Sequence, residues 1–384
     1  MKSFPVANEQ IDYPAVTEAA LQHEAQEQLW QPLRQAIHER ILPGAVAVIS
    51  YRGQLYRYAG GWATDTPALR LPATFDTIYD CASLTKVTVT LPLILILAQQ
   101  GRLSLDDPAS NYVPELQHGV HATITIRQLL AHTSGLPAIV DCYSHSWTME
   151  EAIQHIGQLE LQSVPGSARA YSDTGFILLG WLFQQISGMS LDEGVQKLLW
   201  QPLHMNNSMF CPPSSLVANI ASTEYDAAHA DWLRGIVHDE NARQLGGIVG
   251  HAGLFATAND LLRYGQSWLT GVNGDDCAWL APVQQSIRLL RSAIQRQTPA
   301  LPQTHRGLGW VLEGDEADVS GGLLSSTAFG HTGFTGTSLY IDPELELVMV
   351  LLTNRVHYGR QHSIQQVRRD FHRTIAASIR AHMK

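Results

Sequence analysis

Strand-like patterns lie at both ends of this 384-residue chain, with helical patterns between them, so any sheet must be assembled from opposite ends of the sequence. Near the start, Ala45–Tyr51 (AVAVISY), an Arg52-Gly53 turn and Gln54–Gly61 (QLYRYAGG) read as a β-hairpin in pattern and in turn chemistry. Near the end, residues 306–313 (RGLGWVLE), 337–342 (TSLYID) and 345–354 (LELVMVLLTN) carry strand signals, with Asp342-Pro343-Glu344 as a turn. Residues 17–41 place Leu21, Leu29, Leu33, Ile37 and Ile41 at helical spacing, and a last helix is expected over residues 364–382. From about residue 100 to 300, helical patterns alternate with Gly/Pro loops; residues 124–137 and 176–188 read as helices that stop at glycine. The expected architecture is α/β. One lobe comes from residues 15–98 and 303–384, and residues 99–302 form an inserted, mostly helical lobe.

The most apolar stretch, Val87–Ala98 (VTVTLPLILILA), is shorter than the ~20 residues that span a bilayer and contains Pro92, so it is expected to be a buried helix. Ser83-Leu84-Thr85-Lys86 opens it. A serine and a lysine three apart share a helix face, and a lysine beside a core is rarely left unpaired. The chain has four lysines, at positions 2, 86, 197 and 384, so this one stands out. Cys81 lies two residues before Ser83, and the simpler reading of so small a residue is a core thiol.

Hydrophobic content of 45% and charged content of 16% fit a globular enzyme, and a net charge of -10 argues against nucleic acid or anionic membrane as partner. Four scattered cysteines without metal spacing, and an N-terminus without a basic-then-apolar pattern, lead to the expectation of a cytoplasmic protein without a cofactor.

Two further segments could complete a site around Ser83. Tyr171-Ser172-Asp173 precedes a helical pattern, and a phenol beside a lysine can relay protons. Gly330-His331-Thr332-Gly333-Phe334 leads into a strand, its glycines allowing close approach to the strand edge.

Ser-x-x-Lys, Tyr-Ser-Asp and His-Thr-Gly in this order resemble the boxes of the penicillin-recognising serine hydrolases: class C β-lactamases, DD-peptidases and family VIII carboxylesterases. The resemblance runs from about Ala45 to Arg355. It includes TIRQLLAHTSGLP (125–137), PGSARAYSDTGFILLGWLFQQISGMS (165–190), QPLHMNNSMF (201–210) and GGIVGHAGLFATANDLLRY (246–264). It implies a β-lactamase/transpeptidase-like fold, an antiparallel sheet flanked by helices plus the helical lobe, with the active site in the cleft between the two lobes. By position it implies Ser83 as nucleophile, Lys86 as proton relay and Tyr171 as base and acid, with Lys86 favouring the phenolate. The backbone N–H groups of Ser83 and Phe334 would form the oxyanion hole, and Asp173, His331, Thr332, Gly333 and Arg355 would face substrate.

Two positions depart from the β-lactamase pattern. Asp173 stands where asparagine is usual; an ionised carboxylate only accepts hydrogen bonds, so it is expected to pair with Lys86 or to take a donor from the substrate. His331 replaces a lysine, and a neutral imidazole holds a carboxylate less firmly, leaving Arg355 as a candidate for the missing charge. Val237–Ala242 with His251 offers His, Asp and Glu without tight metal-ligand spacing, and no metal is expected. The same segment is similar to that of peptidoglycan-related, often cytoplasmic members of the family. It points to a small or short-peptide substrate, an amide from a muropeptide or D-amino-acid-containing fragment. A carboxylesterase acting on small acyl esters is the alternative, and a non-catalytic binding relative is disfavoured by the presence of Ser83, Lys86 and Tyr171. The oligomeric state is open.

Overall fold

The computed structural model describes residues 17–18, 27–228, 230–280 and 283–382. Eight strands among these form one sheet: β1 (Thr17–Glu18), β2 (Gly44–Tyr51), β3 (Gln54–Asp65), β4 (Arg70–Pro72), β5 (Val311–Leu312), β6 (Phe329–Thr332), β7 (Ser338–Asp342) and β8 (Leu347–Thr353). Their order is β1-β3-β2-β8-β7-β6-β5, with β4 also on β3. Every pair is antiparallel except the short β1–β3 pair. The join between the two chain ends is β2 on β8, with Ala45 opposite Thr353 and Tyr51 opposite Leu347. The β2–β3 turn at Arg52-Gly53 has positive φ at both residues, the geometry that matches strand twist in a tight hairpin.

The strands at this join read as continuous apolar runs because both faces of the sheet are covered. On β8, Leu347, Met349 and Leu351 enter a core with Leu33 of α1 (Gln31–His38) and Phe371 and Ile375 of a long final helix (Gln365–His382). Val348, Val350 and Leu352 enter a second, larger core with Leu261 and Trp268 of the helix Ala258–Asn273. Numbered along the chain, the principal helices are α1, α2 (Leu91–Gln99), α3 (Asp173–Ser187), α4 (Ala258–Asn273) and α5 (Gln365–His382). Gly265 lets α4 lie close on the sheet, since a Cβ there would fall 2.5 Å from Val348 Cγ1. Although α4 belongs to the 99–302 segment, it packs on strands drawn from both ends of the chain.

Local differences from expectation have local causes. The helix expected over 17–41 is helical at Gln31–His38, Thr17–Glu18 is instead a strand edge on β3, and residues 19–26 lie outside the described residues. The helix expected to run to Gly135 covers only Ile126–Leu130; a Thr125/Gln128 capping box starts it and His132, at φ +59°, turns the chain away. By contrast, α3 ends as expected, on Gly188 at φ +73°. The 306–313 pattern forms only the two-residue β5, and Val283–Ala293 forms a helix within residues 271–298, the least readable stretch of the sequence.

His372 of α5 ties the helix to the sheet. Its Nδ1–H donates to Val319 O (2.8 Å) and its Nε2 accepts from Ser338 Oγ (3.3 Å). Burial pushes its pKa down to about 4, and burial also holds His132 and His331 well below the ordinary value. In this range the unfolded chain binds protons that the folded chain does not, so stability falls as pH drops from about 6.5 to about 4. His372 alone contributes roughly 3 kcal/mol of that loss. Denaturant titrations at pH 7 and 4.5 would reveal it, with His372→Gln flattening the slope; an equal slope in the variant would contradict the assignment.

Candidate active site

Ser83 follows a short strand, Tyr79–Asp80, that pairs with Phe255–Ala256. Asp80 is buried; one carboxylate oxygen accepts from Ala82 N–H (2.8 Å) and the other from His238 N–H (2.7 Å). Burial raises the Asp80 pKa, against the pull of those two backbone donors. This turn holds Ala82 at φ +46°, a left-handed conformation costing about 1–2 kcal/mol for a residue with a Cβ. The helix starts at Leu84, so Ser83 sits just ahead of its first turn.

Beyond it, Lys86–Thr90 is a wide, π-type turn with Leu91 N–H bonded to Lys86 O, leading into α2. Pro92 accounts for the widening, because it has no N–H for Thr88 O and its ring crowds that carbonyl. Threonine hydroxyls use the carbonyls nearby: Thr88 donates to Leu84 O, and Thr90 donates to Gly250 O. Cys81 is a buried free thiol, with its pKa raised by desolvation, and so matches the inert core reading.

Lys86 is fully buried. Its Nζ donates to Ser83 Oγ (3.0 Å) and to His251 O (3.0 Å), and forms an ion pair with Asp173 Oδ1 (2.7 Å). Burial alone would lower its pKa, but Asp173 and Tyr171 outweigh it and hold the ammonium above its ordinary value. Lys86 is therefore a cation at neutral pH. Asp173 begins α3, where Ser172 Oγ caps Gly175 N–H (3.0 Å), and its side chain remains 20% exposed. The Tyr171 ring lies 5.0 Å from Lys86 Nζ, between the rings of His132 (4.6 Å) and His331 (6.1 Å).

The edge of β6 brings the remaining residues. His331 is buried; its Nδ1–H donates to Thr332 O (2.8 Å), leaving Nε2 as an acceptor without a protein partner among the described residues. Desolvation, then Lys86 and Arg306, keep it neutral. A neutral acceptor nitrogen is not a carboxylate clamp.

Gly333 serves a closer approach than substrate would require. A Cβ there would meet Thr337 Oγ1 at 2.1 Å and Cys81 O at 2.4 Å. Thr335 Oγ1 donates to Asp80 O (2.7 Å) and Thr337 Oγ1 to Cys81 O (3.0 Å), binding the β6–β7 turn to the Ser83 loop. Neither the Ser83 nor the Phe334 backbone N–H has a protein acceptor among the described residues.

Phe334 is 47% exposed at the rim, with His238 stacked at 5.6 Å and the Arg355 guanidinium 4.5 Å from the ring centroid. Arg355 donates from Nε to Phe334 O (2.7 Å) and from Nη1 to His362 O (2.6 Å) and Arg360 O (3.2 Å), so it braces this turn from the wall of the cleft. Ser83, Tyr171, Thr332, Gly333, Phe334 and Arg355 line one cleft of about 380 Å³.

Several neighbours carried no sequence signal of their own. His132 Nδ1 accepts from Ser172 N–H (3.0 Å), and the ring is neutral through burial and nearby Arg306 and Lys86. It lies within residues 124–137, which read in sequence as a helix and not as part of a site. Arg306 is a buried guanidinium on Asp315 (3.1 Å), close enough to weigh on His132, His331 and Tyr171. His251 acts through its backbone carbonyl, while its ring Nε2 pairs with Asp239 (2.9 Å). That pair draws the Asp239 pKa well below the carboxylate range despite burial. His238 pairs separately with Glu224 (3.0 Å), and among the described residues no group of three or more metal-ligating side chains converges.

A serine held by a buried lysine, with a tyrosine lining the same cleft of this sheet-and-helix fold, is the setting of a hydrolytic enzyme. The profile of the Beta-lactamase family matches residues 26–371, and the chain belongs to that family, the penicillin-recognising serine hydrolases. A putative D-alanyl-D-alanine carboxypeptidase of Escherichia coli K12 is 29% identical over 334 residues, 79% of this chain and 74% of that protein. N-acetylmuramyl-L-alanine amidase of Bacillus subtilis 168 is 29% identical over 351 residues, 82% of this chain and 78% of that one. Among solved structures, EstCE1, a hydrolase with promiscuous acyltransferase activity, has the same fold. Its TM-score is 0.71 at 24% identity, covering 91% of this chain and 99% of that one. Among the described residues, no helix is long and apolar enough to cross a membrane.

Proposed function

We propose that this enzyme cleaves an amide bond in a small cell-wall fragment, a muropeptide or D-amino-acid-containing peptide, through an acyl-Ser83 intermediate, in the cytoplasm. The observation that carries the reading is the Lys86 ammonium, 3.0 Å from Ser83 Oγ and 2.7 Å from the Asp173 carboxylate. A lysine held as a cation orients Ser83 and does not serve as its base, so the Tyr171 oxygen is the group that takes the seryl proton. Ser83 Oγ bonds to the scissile carbonyl carbon, and the oxyanion is received by the N–H groups of Ser83 and Phe334. The C–N bond then breaks as Tyr171 returns the proton to the leaving amine. Water attacks the ester, with Tyr171 again as base, releasing the acid and regenerating Ser83.

Asp173 supports a substrate that brings donors. With one oxygen on Lys86, its other can accept an N–H or hydroxyl, whereas a substrate carbonyl at that place would meet a second acceptor. The names of the two relatives support the amide class, since each denotes a protein that cuts an amide bond. The test compares release of free amine from N-acetylmuramyl-L-alanyl peptides and from peptides ending in D-alanyl-D-alanine with hydrolysis of 4-nitrophenyl butyrate. Turnover of either peptide class is expected to exceed that of the ester in kcat/KM. Rapid ester hydrolysis with both peptides untouched would overturn the amide reading in favour of a carboxylesterase.

A further inference from the structure

The turn that bears Phe334 is held by an arginine that comes late in the chain. Arg368 of α5 is 3% exposed, and its Nη2 donates to Gly333 O (2.6 Å) and Thr337 O (2.8 Å). Gly333 O and Phe334 N–H belong to one peptide group. That group is planar and trans, so fixing the carbonyl fixes the direction of the N–H on its opposite side. A charge-assisted bond to the oxygen also draws electron density from the amide nitrogen and strengthens the N–H as a donor.

The neighbouring groups are pinned as well: Gly333 N–H donates to Thr337 O (2.8 Å) and Phe334 O accepts from Arg355 Nε (2.7 Å). Packing alone does not call for this arginine. Its acceptors are neutral carbonyls, its Nε has no partner among the described residues, and burial lowers its pKa to about 9. A buried guanidinium without a carboxylate is a costly choice where an apolar side chain would fill the space.

We propose that Arg368 is a positioning residue of the oxyanion hole, orienting and polarising the Phe334 N–H through the carbonyl of the same peptide group. The proposal rests on the reading of Ser83 as nucleophile and of Phe334 N–H as an oxyanion donor. A ligand that engages the hole without carrying a carboxylate separates this role from direct binding of a substrate anion.

Butylboronic acid is such a probe, since its boron takes up Ser83 Oγ and becomes a tetrahedral anion with an oxygen in the hole. Its affinity is measured by calorimetry for the parent, Ser83→Ala, Arg368→Met and Arg368→Lys, with thermal melts of each. Ser83→Ala should abolish binding. Arg368→Met should weaken it by about 10- to 100-fold, less than the ~10²–10³ lost when an oxyanion donor is removed altogether. Arg368→Lys should recover part of the loss, and it serves alone if the methionine variant does not fold. Undiminished boronate affinity in both folded variants would overturn the role of Arg368. Equally tight binding by Ser83→Ala would instead overturn the reading of Ser83 on which it rests.

Discussion

Ser83→Ala is expected to lower turnover by about 10⁶-fold, the scale reached when the nucleophile of a serine hydrolase is removed. The fold should be unaffected. Ser83 is partly exposed, and its hydroxyl is bonded to Lys86 Nζ, which keeps His251 O and Asp173 as partners. Melting temperature should therefore move little while activity disappears. A fluorophosphonate probe followed by mass spectrometry gives an independent check, since the adduct should map to Ser83 in the parent and vanish in the variant. Retention of even a hundredth of parental activity would mean that another group is the nucleophile.

Lys86→Met should cost about 10³-fold or more in kcat, because the Ser83 proton then has no cation beside its path. Its effect on stability is of a different kind. Removing the ammonium leaves the Asp173 carboxylate, only 20% exposed, without its counter-ion, so the single variant should melt below the parent. Lys86→Met/Asp173→Asn removes both charges and should recover most of the lost stability, since replacing a whole buried pair is often neutral or better. It should recover none of the activity. The ion pair also sets a pH range. The folded Lys86 pKa lies above the ordinary 10.5, so its stabilisation is complete below that value and is lost only as pH rises through the folded pKa. Parallel melting and kinetic measurements on the three proteins decide the matter; an active single variant would reduce Lys86 to a structural role.

Patterns within single segments were the legible part of this molecule. The β2–β3 hairpin, β7 and β8, α3 and α5 follow from alternation, periodicity and glycine stops, because their signals lie within the elements themselves. Ser83, Lys86, Tyr171, Asp173 and His331–Phe334 were legible because the three boxes occur together in the order of the family they resemble, each box being weak alone, and they converge on one cleft and its immediate surroundings. Other positions carry no mark in sequence. His251 serves Lys86 through a backbone carbonyl, which any residue possesses. His132, Arg306 and Arg368 act through contacts made only when distant segments meet, and a lone arginine in a helix reads as surface. The length of the 126–130 helix was misread because the left-handed turn at His132, a residue with a Cβ, gives no glycine signal.

The join of β2 to β8 also orders events during synthesis. Ser83 and Lys86 leave the ribosome long before the β6–β7 turn that carries Phe334 and the helix that carries Arg368. On the proposed reading, a nascent chain holds Ser83 before it holds the Phe334 N–H that would receive the oxyanion. On that reading, chains that end before β6 to β8 and α5 should be inactive.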